Sequence, residues 1–143
     1  MNAISKLPGI KGAVALAAIL AMNGAALAKK PANSGTPAEL SPDRTSATVT
    51  ISVQCDPMTA LNATGKLSVH VFQSVGRLIN IGIGSGDVEC TGLDTPQTVT
   101  VNAIPGLAFQ PGPATLLLRF TTTDSITNLD TVQESGSRIN LHP

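Results

Sequence analysis

The sequence predicts an all-β protein: a two-sheet sandwich of immunoglobulin-like architecture with about seven strands and one disulfide bond, preceded by a signal-peptide helix. Three observations lead to this prediction. Short segments alternate apolar and polar residues with the period of two that is typical of half-buried strands. Glycine and proline turns recur about every ten residues, and no segment carries an apolar stripe at helical spacing. Two cysteines, Cys55 and Cys90, follow an N-terminal segment typical of exported chains.

The first 28 residues have the order of a secretion signal. Two lysines precede an uncharged apolar run, residues 13–22, and small residues ending in Ala28 follow it. We therefore expect cleavage between Ala28 and Lys29. A retained membrane anchor would need roughly 18 or more consecutive apolar residues, and Asn23 interrupts the run before that length. The sequence thus predicts a secreted protein, extracellular or periplasmic, with no membrane span once the signal is removed.

The composition of the remaining chain predicts one domain and excludes some partners. Removal of 28 of the 143 residues leaves 115, which suffices for a single core. Residues 29–44 hold three prolines and no apolar-polar alternation, which predicts a disordered linker before a sandwich domain at 45–143. Of nine Lys and Arg, two lie in the signal, so seven remain against nine Asp and Glu. This balance argues against nucleic-acid binding, as does the isolation of the four cations in the domain, Lys66, Arg77, Arg119 and Arg138.

Successive segments justify each strand of the predicted sandwich. In the first, 47–55, apolar residues alternate with Thr, Ser and Gln, and the last inward position is Cys55. The second, 67–72, alternates three aliphatic residues with a face that includes His70. The third, 77–83, places three isoleucines on one face, and Gly84-Ser85-Gly86 is expected to turn the chain into the next strand. The remaining strands are expected at 87–91, 97–103, 114–122 and 138–142.

The two cysteines admit one intramolecular pairing, Cys55 with Cys90. The predicted export route supplies an oxidising compartment in which such a bridge forms. A redox couple or a metal site is less favoured, because the chain has no C-x-x-C spacing and only two His residues. We therefore predict a structural disulfide.

The polar motifs of the chain do not specify a catalytic site. Ser85 lies between glycines, but the nucleophile motif G-x-S-x-G fails on both sides of it. His70 could combine with Asp87 or Asp94 in a triad, yet it falls on the polar side of its strand, where a solvated histidine is the favoured interpretation. Asp87, Glu89 and Asp94 cluster in sequence around Cys90 and fit exposed strand and turn positions equally well. We predict no catalytic or cofactor-binding residue and no enzyme activity.

Two further ligand chemistries are disfavoured. Asp124, Asn128 and Asp130 offer oxygen ligands for Ca²⁺, but their spacing departs from a calcium loop and no central glycine is present, so no metal ligand is predicted. The chain has no Trp and no Tyr, and its three Phe are expected in the core, which leaves few surfaces for stacking sugars or bases.

A set of short motifs resembles a known family. The resemblance spans about residues 47 to 141 and is carried by Cys55, Gln-Ser-Val-Gly-Arg at 73–77, Cys-Thr-Gly at 90–92, Val99, Val101 and Phe-Gln-Pro-Gly-Pro-Ala at 109–114. These residues are similar to a domain of small secreted bacterial proteins of unknown function. The resemblance implies an exported, disulfide-bridged β-sandwich and brings no catalytic residues. Family members often carry an aromatic residue, frequently Trp, shortly after the second Cys-x-Gly, where this chain has Pro96-Gln97-Thr98.

The sequence therefore predicts an exported, non-catalytic binding or structural module whose partner is an extracellular or cell-surface protein. One alternative is a subunit of a surface fibre, in which a partner's strand completes the sandwich. It is less favoured because residues 29–44 lack the alternating apolar residues of a donated strand. A hydrolase with an unrecognised site is the other alternative.

Overall fold

The computed structural model describes residues 31–33, 37–55 and 63–143. All regular structure in these residues is β-strand, as the alternation predicts. The predicted signal peptide and its cleavage point between Ala28 and Lys29 lie outside the described residues. The strands are β1 (Ala32–Asn33), β2 (Ala38–Leu40), β3 (Ser46–Val53), β4 (Ala63–Val75), β5 (Leu78–Glu89), β6 (Thr95–Ala103), β7 (Gly112–Asp124) and β8 (Asp130–His142).

The strands form one sheet that closes on itself. Around the ring the order is β3, β6, β5, β4, β7, β8 and β2, and β2 returns to β3. Every pairing is antiparallel except β2 with β8, which is parallel. The molecule is therefore a seven-stranded mixed barrel, and the predicted immunoglobulin-like two-sheet sandwich is wrong. Two pairings that join residues far apart in sequence, β3 with β6 and β2 with β8, turn the expected open sheets into a ring.

Long ladders form one wall of the barrel. β4 lies centrally, paired with β5 from Thr64–Glu89 to Val75–Leu78 and with β7 from Ala63–Asp124 to Phe72–Thr115. β7 continues into β8 along a ladder of similar length. These strands are rich in β-branched and aliphatic residues at alternate positions, which pack well on a pleated, half-buried surface. The alternation predicted for the segments 67–72 and 114–122 is confirmed.

The barrel interior is filled by side chains. Each strand turns alternate residues inward. The two largest buried side chains are Phe120 of β7 and Phe109, which enters from the loop between β6 and β7. As in other small barrels, the inward residues form a packed core. The other buried hydrophobic residues are Ala38, Leu40, Ala47, Val49, Ile51, Val53, Cys55, Leu67, Val69, Val71, Val88, Val99, Val101, Ala114, Leu116, Leu118, Ile139 and Leu141.

β5 differs from the sequence prediction in two respects. It is one continuous strand, so the turn expected at 84–86 is absent, and its isoleucines at 79, 81 and 83 face outward. Asn80, Gly82 and Gly84 face inward instead. A Cβ on Gly82 would overlap the ring of Phe109 and lie 2.7 Å from Val101 Cγ1, and one on Gly84 would lie 2.9 Å from Val99 Cγ1 and would overlap the carbonyl oxygen of Thr100. Glycine is therefore required here for the close approach of β5 to β6 and to the Phe109 ring, and not for a turn.

The region predicted as a disordered linker, 29–44, contains the strand that closes the barrel. β2 pairs with β3 at Glu39–Thr48 and Leu40–Ala47, and with β8 at Ala38–Leu141 and Glu39–His142. β1 pairs with β3 at Ala32–Ser52 and Asn33–Ile51. We name residues 31–33 and 37–40 the closing segment. Its alternation, with Ala38 and Leu40 buried on either side of an exposed Glu39, is too short to stand out in the sequence.

The predicted disulfide between Cys55 and Cys90 is confirmed, with the two Cα atoms 5.3 Å apart. Cys55 follows β3 and Cys90 follows β5, so the bridge spans β6, which lies between those strands in the ring. It therefore holds the far end of β5 against the β3–β6 pair. A disulfide is consistent with the oxidising compartment that the export prediction requires.

Candidate functional site

The outer face of the β4, β5, β7 and β8 wall is divided into two halves along the strands. Paired residues of neighbouring strands face the same side, so the ladders place Ile83 beside His70, and His70 beside Leu117. One half carries apolar side chains, which we name the outer apolar patch: Phe72, Ile79, Ile81, Ile83 and Leu117. The other half carries Ser68, Ser85, Lys66, Asp87, Glu89, Arg119 and Glu134.

The outer apolar patch is substantially exposed. The side chains of Ile79, Ile83 and Leu117 are 61%, 49% and 45% exposed. Phe72 is half-buried, so the expectation that all three Phe lie in the core holds for Phe109 and Phe120 and is wrong for Phe72. Its ring stacks on that of His70, with centroids 6.3 Å apart and planes inclined by 11°. The stack provides a flat aromatic element within an otherwise aliphatic surface.

A shallow groove of about 480 Å³ runs along the border between the two halves of this face. His70, Phe72 and Leu117 form its apolar side, while Arg119 and Glu134 lie on its polar side. Arg119 Nε and Glu134 Oε1 are 3.7 Å apart in an exposed ion pair. Gly136 forms part of the floor, where Leu117 lies over it, and an added Cβ would come within 3.0 Å of Leu117 Cδ2. The groove can therefore receive a side chain that is apolar on one side and polar on the other.

His70 reaches a hydroxyl. Its Nε2 lies 3.3 Å from Ser68 Oγ, two residues earlier on the same face of β4. Asp87 lies opposite Lys66 in the ladder, two outward positions from the level of His70. Asp94 is held elsewhere, where it accepts a hydrogen bond from the hydroxyl of Ser52. The structure therefore does not join His70 to the carboxylates weighed as its partners, and Ser85 lies opposite Ser68 rather than on a strand-to-helix turn.

The backbone around Ser68 is hydrogen-bonded to neighbouring strands of the sheet. β4 has a paired neighbour on both sides throughout the region of Ser68 and His70. Acyl transfer requires N–H donors aimed at the developing oxyanion, commonly from free backbone amides. Here the two ladders use the backbone amides of β4. The Ser68–His70 pair therefore has a nucleophile and a base in reach of each other, without backbone donors to stabilise a transition state.

The acidic residues weighed as calcium ligands stabilise a turn. Asp124 Oδ1 accepts hydrogen bonds from the backbone N–H of Ile126 at 2.8 Å and of Thr127 at 3.0 Å. These bonds, first that of Thr127, lower the pKa of the Asp124 carboxyl from its ordinary value. Asn128 follows in the left-handed conformation, with φ of 53°. Asp130 accepts from the Thr123 hydroxyl at 2.6 Å. Within the described ranges, no group of three or more His, Cys, Asp and Glu is placed to hold a metal ion.

Two buried amides, to which the sequence analysis assigned no role, hold the loop after β6 in place. Gln73 donates to the carbonyl of Gln110 at 2.6 Å and accepts from its N–H at 2.8 Å, as a neighbouring strand would. Asn80 donates to the carbonyl of Ala108. Between these anchors, Phe109 enters the core, and its N–H donates to the carbonyl of Arg44 at 2.9 Å. The motifs 73–77 and 109–114 are thus parts of one structural contact.

Comparisons with protein-family models, with curated proteins and with solved structures found no match for this chain. No helix in the part of the chain that the structure describes is long and apolar enough to cross a membrane.

Proposed function

We propose that this chain is an exported, non-catalytic interaction module that binds an extracellular or cell-surface protein through the outer apolar patch. The observation that carries the proposal is the position of this patch. Its side chains face away from a barrel interior that is already filled by other residues. Contiguous apolar surface rimmed by polar residues is typical of interaction sites on soluble proteins.

The energetics favour contact with an apolar partner surface. Ile79, Ile83 and Leu117 retain about half or more of their exposure in the isolated chain. Burying that remainder contributes on the order of 1 kcal/mol per side chain, at roughly 25 cal/mol per Å². The Phe72–His70 stack lies between these residues and adds aromatic surface that a partner can cover.

The polar half of the same face can orient a bound partner. Lys66, Asp87 and Glu89 project from it, and the Arg119–Glu134 pair borders the groove. Charges at the rim of an interface contribute more to register and partner choice than to affinity. We therefore expect a protein partner with a small apolar surface edged by charges of both signs. Export is supported by the disulfide together with the order of residues in the N-terminal segment.

The test is capture from the host envelope and culture medium by the exported protein, with variants that change only the patch. Ile79→Thr combined with Ile83→Thr removes apolar surface and keeps β-branched residues in the strand. Ile126→Thr makes the same change at a side chain that is 72% exposed in a distant turn. We expect one saturable partner whose capture is lost with the double variant and retained with Ile126→Thr. Equal capture by all three proteins would contradict the proposed surface.

A hydrolytic function is the second candidate, and the observation that favours it is the 3.3 Å separation of Ser68 Oγ and His70 Nε2. The committed backbone of β4 argues against it. A broad screen with ester, amide and glycoside substrates would compare wild type with His70→Ala and Ser68→Ala. Turnover that disappears in both variants would overturn the non-catalytic proposal. The absence of turnover in wild type and in both variants would support it.

A further inference from the structure

The closing segment is held by far shorter ladders than the wall strands. β2 meets β8 at two residue pairs and β3 at two, and β1 meets β3 at two. We propose that the slot between β3 and β8 accepts the closing segment of a second copy of this chain, so that one barrel is closed by its neighbour. This interaction is distinct from binding at the outer apolar patch, because the patch residues lie on β4, β5 and β7, whereas the slot lies between β3 and β8.

The slot accepts a strand that matches the backbone edges of β3 and β8 and fills two inward-facing apolar positions. An occupant must run parallel to β8 and antiparallel to β3, as the closing segment does. It must place apolar side chains at the positions of Ala38 and Leu40, which are 2% and 9% exposed. It must also offer a carbonyl where that of Pro31 accepts from the Ser135 hydroxyl. A second copy of the chain presents all of these features.

The connection between the closing segment and β3 is a tight turn that can act as a hinge. Ser41 and Arg44 close it through an N–H to carbonyl bond of 2.9 Å. The carboxylate of Asp43 accepts from the hydroxyls of Ser41 at 2.6 Å and Thr45 at 2.9 Å. Arg44 has φ of 60°, a conformation that side-chain-bearing residues rarely adopt. Straightening the turn relieves this conformation and directs the closing segment away from its own slot.

Exchange between copies costs little because the contacts are the same in both arrangements. Each closing segment leaves one slot and enters an identical one, so only the turn and the freedom of the two molecules differ. Short hinge loops under strain favour such exchange. Reciprocal exchange closes a dimer, whereas one-way donation extends into a chain of barrels.

Cysteines placed on separate chains can detect the exchange. Glu39 and Thr48 are outward-facing register partners across the β2–β3 ladder. One full-length protein carries Glu39→Cys and another carries Thr48→Cys, and the two are mixed at high concentration and mildly oxidised. In a barrel closed by its own segment, the introduced cysteine has no cysteine opposite it. In an exchanged pair, the cysteine at position 39 of one chain lies opposite the cysteine at position 48 of the other. We expect a disulfide-linked heterodimer, identified by intact mass, at several-fold the yield obtained when Lys66→Cys replaces Thr48→Cys.

The hinge provides a second, independent readout. Asp43→Ala removes the carboxylate bonds that close the turn, and we expect it to raise the heterodimer yield several-fold. Asp130→Ala removes a matched carboxylate-to-threonine bond in the distant turn before β8 and is expected to leave the yield unchanged. A heterodimer yield equal to that of the Lys66→Cys control, in both the native-hinge and Asp43→Ala backgrounds, would overturn the proposal. Partner capture by the patch would be unaffected by that result.

Discussion

The barrel has two narrow junctions, and they are held by different means. β5 meets β6 only at Gly82–Ala103 and Ile83–Asn102, yet this junction is reinforced by the close approach of β5 glycines and by the Cys55–Cys90 bridge. The junction between β8 and β3 has no covalent link and is filled by the closing segment. The length of a ladder alone therefore does not indicate where a barrel opens. Both junctions have short ladders, but the disulfide bridge reinforces only the junction between β5 and β6.

The largest expected effect on stability comes from removing the disulfide bridge at the β5–β6 junction. Replacing Cys55 and Cys90 together by Ala is expected to lower the free energy of unfolding by roughly 3–4 kcal/mol, since the bridge constrains the unfolded chain and holds β5 to β3. Urea denaturation measures this change, with the reduced wild type as the control. A loss below about 1 kcal/mol would show that the glycine contacts alone hold the junction.

A smaller effect is expected at the second junction. Leu40→Ala removes a buried side chain from the closing segment, and we expect a loss of roughly 2–3 kcal/mol, at the low end for such changes because the short segment can relax. Hydrogen exchange should show faster exchange of the β2 amides. Leu129→Ala, at a side chain 68% exposed, is the matched control and should change stability little. Equal losses for both variants would mean that the closing segment does not seal the core.

The close approach at the first junction is tested by Gly84→Ala. The added methyl group would overlap the Thr100 carbonyl oxygen, which belongs to the backbone and cannot move aside, so we expect a loss of about 1–3 kcal/mol. Gly86→Ala is the control, because its Cβ would lie 3.7 Å from Val99 Cγ2, an ordinary contact. Thermal unfolding of the two variants should separate clearly. If Gly86→Ala costs as much, close approach is not the reason for glycine in β5.

The smallest expected effect is on the pH dependence of stability, and it comes from Asp43 in the turn between β2 and β3. The hydroxyl of Ser41, followed by the N–H and hydroxyl of Thr45, lowers the pKa of Asp43 below its ordinary value of 3.8. The folded state thus favours the carboxylate, which stabilises the protein above that ordinary value and ceases to do so as the pH falls through the lowered one. We expect the melting temperature of Asp43→Asn to fall less steeply than that of wild type between about pH 5 and pH 2.5. Parallel curves would contradict this role for Asp43.

The extent to which the fold was predictable follows from how local each signal is. The alternation of β3, β4 and β7 and the single possible cysteine pairing lie within short stretches, and each is confirmed. Which face of β5 points inward could not be predicted, because Ile79, Ile81 and Ile83 resemble a core face. In the structure, the core next to β6 has room only for glycine. The three-residue β2 gives almost no periodic signal, so ring closure could not be foreseen.

The candidate site was less predictable, because its parts come from different strands. His70 was recognised as an outward residue, but its stacking on Phe72 and its position beside Ile83 and Leu117 depend on ladder registers. Gln73 and Gln110 form a contact between side chain and backbone across 37 residues. Buried amides paired with a loop backbone leave no pattern in a single sequence, although an unsatisfied amide in a core is costly enough that each required a partner.

The parallel β2–β8 pairing also bears on the kinetics of folding. Ala38 and Leu141 are about a hundred residues apart in the chain, while β4 and β5 are joined by a tight hairpin. Loop-closure entropy delays contacts of long sequence separation, so the hairpins are expected to form first and the ring to close last. Until that step the edges of β3 and β8 remain unpaired, which is the state most prone to aggregation. Pulse-labelling hydrogen exchange during refolding should therefore protect the amides of β4 and β5 before those of β2.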